Sequence, residues 1–79
     1  MNWQDYIEQN PEVMMGKPCI KGTRLTVEHV LDKLGHGVTY EELMASYPVL
    51  RREHIQAAQA FAADYLSFDR TIWPPGKTA

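Results

Sequence analysis

The hydrophobic period of this chain changes once, at Thr26, and that change limits the folds open to it more than any other feature. From there Val27, Val30, Leu31 and Leu34 fall at i, i+3, i+4 and i+7, which is one apolar face of a helix. Thr26 is suited to the N-cap, Glu28 lies near the positive end of the helix dipole, and Gly35 is read as the left-handed terminator. Thr39-Tyr40-Glu41-Glu42 then has the spacing of a capping box. It opens a second helix of about two turns, with Leu43, Met44 and Tyr47 on its buried side and Pro48 to end it. A third and longest helix is predicted from near Arg52 to about Phe68, with Ile55, Ala58, Phe61, Ala62, Tyr65 and Leu66 as its inner stripe.

Before Thr26 the chain is punctuated by Asn10-Pro11, Gly16-Lys17-Pro18 and Lys21-Gly22-Thr23, so it reads as extended, turned backbone. Short strands are expected around Tyr6-Ile7, Cys19-Ile20 and Arg24-Leu25-Thr26-Val27. The predicted fold class is mainly α: a three-helix helix-turn-helix unit with a short extended or β N-terminal segment. Within one domain, residues 1–26 form that segment, 27–68 the helical core, and 69–79 a flexible tail broken by Pro74-Pro75-Gly76. No internal repeat or low-complexity tract interrupts this plan.

A chain of 79 residues builds only a small core, so self-association as a homodimer is expected, with the short N-terminal strands as elements that pair between copies. Its hydrophobic content of 44% and charged content of 23% are those of an ordinary folded domain. A net charge of −2 excludes the overall electrostatic pull of a strongly basic nucleic-acid binder, so any DNA contact must be local. The single cysteine, Cys19, makes no internal disulfide, and no signal stretch opens the sequence, which points to the cytoplasm. No apolar run approaches the roughly 20 residues that span a bilayer.

If helices two and three act on DNA, the third offers Arg51, Arg52, Gln56 and Gln59 to a groove. Arginine reads guanine bidentately and glutamine reads adenine. The same residues equally suit the solvated face of a packing helix, and Glu41, Glu42, Glu53 and Asp64 nearby repel phosphate. The run Gly16-Lys17-Pro18-Cys19-Ile20-Lys21-Gly22-Thr23 lacks the order of a phosphate-binding loop and reads as a rigid turn with an extended segment. His29, His36, His54 and Cys19 have no metal-site spacing. No catalytic set, metal site or cofactor site is assigned, and an enzyme is not expected. Past the third helix, Phe68, Arg70, Ile72 and Trp73 are candidates for binding a partner protein. Trp73 has an equal alternative in folding back onto the chain's own core.

The residues Asn10-Pro11-Glu12-Val13, Gly16 through Arg24, Thr26-Val27-Glu28, Gly37 through Leu43, Tyr47-Pro48 and Ile55-Gln56-Ala57-Ala58 together resemble the family called domain of unknown function four-three-three. Its members include VapB-type antitoxins and antitoxin-like proteins. The combination of Gly-Lys-Pro with Gly-Thr-Arg carries the likeness, which covers about residues 6 to 66. The resemblance implies a homeodomain-like helical fold, pairing with a ribonuclease toxin of the PIN or PIN-like class, and repression of the protein's own promoter. Arg51 stands where the family often has a Thr or Ser cap, which weakens the start of the third helix. The leading expectation is an antitoxin-like protein that neutralises a PIN-like toxin and contacts operator DNA. The alternatives are a stand-alone DNA-binding regulator and a protein-interaction module with no nucleic-acid role.

Overall fold

A computed structural model of the chain describes residues 1–67. Three α-helices carry it: α1 over Val27–Gly35, α2 over Tyr40–Ser46 and α3 over Arg52–Leu66. Ahead of them two strands, β1 at Ile7–Glu8 and β2 at Cys19–Ile20, pair antiparallel with Ile7 opposite Ile20 and Glu8 opposite Cys19. The strands therefore pair with each other inside one chain, where the sequence had suggested pairing between copies. Arg24 to Val27 makes no strand. Its ladder is reduced to a single bridge between Thr26 and Cys19, because helix α1 begins at once and turns the backbone away.

The start of each helix follows from its cap. Thr26 accepts the His29 N–H at 3.0 Å, and Thr39 and Glu42 exchange bonds as a full capping box, at 3.1 Å from Glu42 N–H to Thr39 Oγ1 and 2.9 Å in return. Arginine has no acceptor to offer, so Arg51 cannot cap α3 with its side chain. The reverse half of the box is made instead, Arg51 N–H donating to His54 Nδ1 at 2.9 Å. Helix α2 stops at Ser46, and Tyr47 is extended at φ −127° and ψ 87°, as the residue before a proline prefers.

The end of α1 differs from the sequence expectation. Gly35 is the last helical residue, and the left-handed position belongs to Gly37, at φ +89°. Gly37 N–H donates to Leu34 O and Val38 N–H to Lys33 O, at 3.0 and 3.1 Å. This bond pair is a Schellman closure with glycine just beyond the cap. It returns Val38 to the core.

That core consists of Ile7, Ile20, Val27, Val30, Leu43, Leu50, Ile55, Ala57 and Ala58. Ile20, Val30 and Ile55 are wholly buried, each contributing about 1.5–3 kcal/mol by leaving water. The N-terminal segment closes the core by packing Trp3 and Tyr6 against it. The predicted inner stripe of α3 holds for Ile55 and Ala58 and loosens beyond. Phe61 and Ala62 are half-buried, whereas Tyr65 and Leu66 are 68% and 63% exposed. Neither Tyr65 nor Leu66 belongs to the core cluster or to the half-buried side chains packed against it. Ala57, absent from the predicted stripe, is buried, because small residues let the helices approach closely.

Candidate functional site

Two surfaces of the described residues carry the candidate chemistry. The first is the N-terminal half of α3, where Arg51, Arg52, Gln56 and Gln59 are all exposed. The spacing of Arg52, Gln56 and Gln59 sets them on one face, and the first turn of α2 lies against it. Arg52 Nη2 donates to Glu41 Oε2 at 2.8 Å, and its guanidinium sits 5.2 Å from the centroid of the Tyr40 ring. The Tyr40 hydroxyl donates to the Gln59 side-chain oxygen. Sequence reasoning named Glu41 only as a nearby acidic residue, missed its pairing with Arg52, and missed Tyr40 altogether. The contacts cross from one helix to the next, over 11 residues for Arg52 and 19 for Gln59, and no local period announces them.

These contacts fix what the face can do. The Glu41 carboxyl is held below the usual carboxylate range by its own backbone N–H and by Arg52, so it stays ionised beside any incoming phosphate. Arg52 must leave Glu41 to reach a base edge or phosphate. An exposed pair of this kind is screened by water and weak, so a guanidinium and two amides remain available to a groove.

The second surface is an apolar groove of about 800 Å³ at the other end of α3. Val27 and Leu31 of α1 form one wall, Phe61, Tyr65 and Leu66 of α3 the opposite wall, and Trp3 the end. Trp3 meets Phe61 edge-to-face at 4.8 Å, and Phe61 stacks on Tyr65 at 6.2 Å. The Trp3 indole N–H donates to Asp64 Oδ2 at 2.6 Å, which fixes the N-terminal segment to the last turns of α3. Sequence reasoning gave Trp3 no role. Its partner is 61 residues away, and only the closed fold brings the two together. The partner-binding candidates Phe68, Arg70, Ile72 and Trp73 lie outside the described residues, just beyond Ser67, which itself lines the groove.

The histidines singled out by the sequence have partners within the chain. His29 bonds the Tyr47 hydroxyl at 2.8 Å, His36 meets the Asp32 carbonyl at 2.8 Å, and His54 caps α3. His29 lies in α1, His36 at the C-cap of the same helix and His54 in α3. Among the described residues no three His, Cys, Asp or Glu side chains converge as metal ligands. Cys19 is buried, its thiol pushed up by desolvation and then by Glu8, and its Sγ–H points to Lys17 O at 3.4 Å. In the turn that superficially suggests a phosphate loop, Gly22 at φ +78° donates its N–H to the Glu8 carboxylate at 2.9 Å. An anionic side chain of the protein thus already occupies that amide. No helix among the described residues is long and apolar enough to cross a membrane.

Fold and surfaces together define a small, mainly helical unit of three helices, closed by a two-stranded N-terminal hook, with a polar face at one end of α3 and an apolar groove at the other. Residues 7–62 match the family described as Protein of unknown function (DUF433), and the chain belongs to that family. It is similar to a solved structure, that of a DUF433 member protein from Anabaena variabilis ATCC 29413 at 2.00 Å resolution. The two share 31% identity and a TM-score of 0.73, over 87% of this chain and 69% of that one. No curated protein matches the chain.

Proposed function

We propose that this chain is an antitoxin-like binding module of a type II toxin–antitoxin pair, not an enzyme, and that it binds and neutralises a PIN-like ribonuclease toxin in the cytoplasm. The observation that carries this reading is the apolar groove beside the exposed Tyr65 and Leu66. Large apolar side chains left in water at one end of the longest helix are suited to a protein partner. The groove adjoins the segment holding Phe68, Arg70, Ile72 and Trp73. In that segment Arg70 offers a bidentate fork to the carboxylates of a toxin's metal site, and Trp73 offers an anchor. The small core supports a homodimer as the working unit.

Autoregulation is the second part of the reading. Arg51, Arg52, Gln56 and Gln59 contact operator DNA, supported by their exposure on one end of α3 and opposed by Glu41, Glu42 and Glu53 beside them. The test is co-expression with a PIN-like protein encoded beside this chain, followed by calorimetry of the purified pair and an assay of ribonuclease activity. A stable complex with suppressed cleavage is expected. A PIN-like neighbour that neither co-purifies nor loses activity overturns the reading. Specific DNA retention without such a partner assigns a stand-alone regulator, and neither result leaves an interaction module without nucleic acid.

A further inference from the structure

We propose that Tyr40 is the positioning residue of the α3 polar face, and that it turns Gln59 into a donor-only reader that selects a base edge carrying acceptors. Tyr40 is the first residue of α2, and its ring is half-buried against the core. It is therefore held from behind. Two contacts leave from that one side chain: the Arg52 guanidinium lies 5.2 Å from the ring centroid, and the hydroxyl donates to the Gln59 side-chain oxygen. Arg52 is also held by Glu41, at 2.8 Å. Arginine and glutamine have many rotamers to lose. Tethered to one core-backed aromatic, both are set before a groove arrives, so less ordering is left for the moment of binding.

The tether on Gln59 also changes what it can read. An amide carries an acceptor at one end and donors at the other. Adenine is read bidentately through N6–H2 and N7, which takes both ends. With the Gln59 oxygen given to the Tyr40 hydroxyl, the NH2 group is the end left for a partner. Guanine presents two adjacent acceptors, O6 and N7, ahead of adenine and thymine with one each, and the N4–H2 of cytosine is a donor that an NH2 group cannot pair with. The two glutamines of the face therefore differ: Gln56, exposed on the same face, keeps the adenine pattern, and Gln59 takes guanine. This base preference rests on the proposed contact of α3 with operator DNA, whereas the positioning of Gln59 does not.

Two measurements on the full chain keep these apart. In the free protein, nitrogen relaxation of the side-chain amides is expected to show Gln59 ordered and Gln56 mobile, and both mobile in Tyr40→Phe, which keeps the ring beside Arg52 and loses only the hydroxyl. Equal mobility of Gln59 in parent and variant overturns the positioning role. Selection from a randomised duplex library is then expected to enrich guanine over adenine at one position by about fivefold or more, the scale of one good base contact. Tyr40→Phe and Gln59→Ala lose that preference at this position alone, with far-ultraviolet dichroism unchanged. Adenine enriched there by the parent, or an identical preference in Tyr40→Phe, overturns the donor-only assignment while operator binding stands. A parent chain that enriches no sequence although its Gln59 is ordered refutes operator reading and the base preference with it.

Discussion

At the end of α1 two glycines two positions apart meet opposite backbone demands. Gly35 is helical, and a Cβ added there meets nothing within 4 Å. Gly35→Ala therefore stabilises the protein by about 0.5–1 kcal/mol, since alanine loses less freedom than glycine on entering a helix. Gly37 also has open space around it, but at φ +89° any L side chain is strained. Gly37→Ala is expected to destabilise by about 1 kcal/mol. Urea unfolding of the two variants gives midpoint shifts of opposite sign, and shifts of the same sign would refute the assignment. The sequence marked the neighbourhood of the turn and chose the wrong glycine. What selects Gly37 is Val38, which must come back to the core.

At the scale of elements, α2 shows how much a short helix owes to its ends. It has seven residues, too few for stability of its own, and its capping box is both its start signal in the sequence and its main local support. Thr39→Ala should cost about 1 kcal/mol. The Glu42 carboxyl is held below its ordinary value, first by the Thr39 backbone N–H and then by the Thr39 hydroxyl. A lowered folded value means the unfolded chain takes up the proton first. The contribution is present above the ordinary glutamate range and is lost as pH falls through the lowered folded value. Chemical unfolding measured between neutral and acidic pH should show a smaller loss in Glu42→Gln than in the parent. An identical slope would show that the box does not form. Helix α3 invites a separate test of its outer face. If it reads DNA, Arg52→Ala with Gln56→Ala weakens specific binding by about 1–3 kcal/mol per lost base contact and leaves far-ultraviolet dichroism unchanged. Unaltered affinity in a mobility-shift titration would return both residues to the solvated face.

For the whole molecule, the question is what covers the groove and how many copies act together. Sedimentation across micromolar concentrations should show a dimer if the small core is completed by association, and a monomer throughout would remove that expectation. Truncation after Leu66 separates two roles of the C-terminal residues. A toxin-binding role predicts lost affinity with little change in urea midpoint, and that is the expected result. A large fall in the midpoint of the protein alone would instead assign Trp73 to the chain's own core.

The sequence by itself determined the elements. Three helix starts at Thr26, Thr39 and Arg51, the break at Pro48 and the two strands were readable because caps, prolines and hydrophobic periods act over a few residues. It also determined which surface of α3 is polar at its N-terminal end. Only the tertiary structure decided what those elements do to one another: that Tyr40 and Glu41 hold Gln59 and Arg52, that Trp3 reaches Asp64, and that Tyr65 and Leu66 on the predicted inner stripe lie exposed. A helical period reports which side chains share a face, not how far along that face a neighbouring helix extends. Along α3 the packed fold buries Ile55, Ala57 and Ala58 in the core and leaves Phe61, Tyr65 and Leu66 lining a groove, a division set by contacts between distant segments that the helical period does not contain.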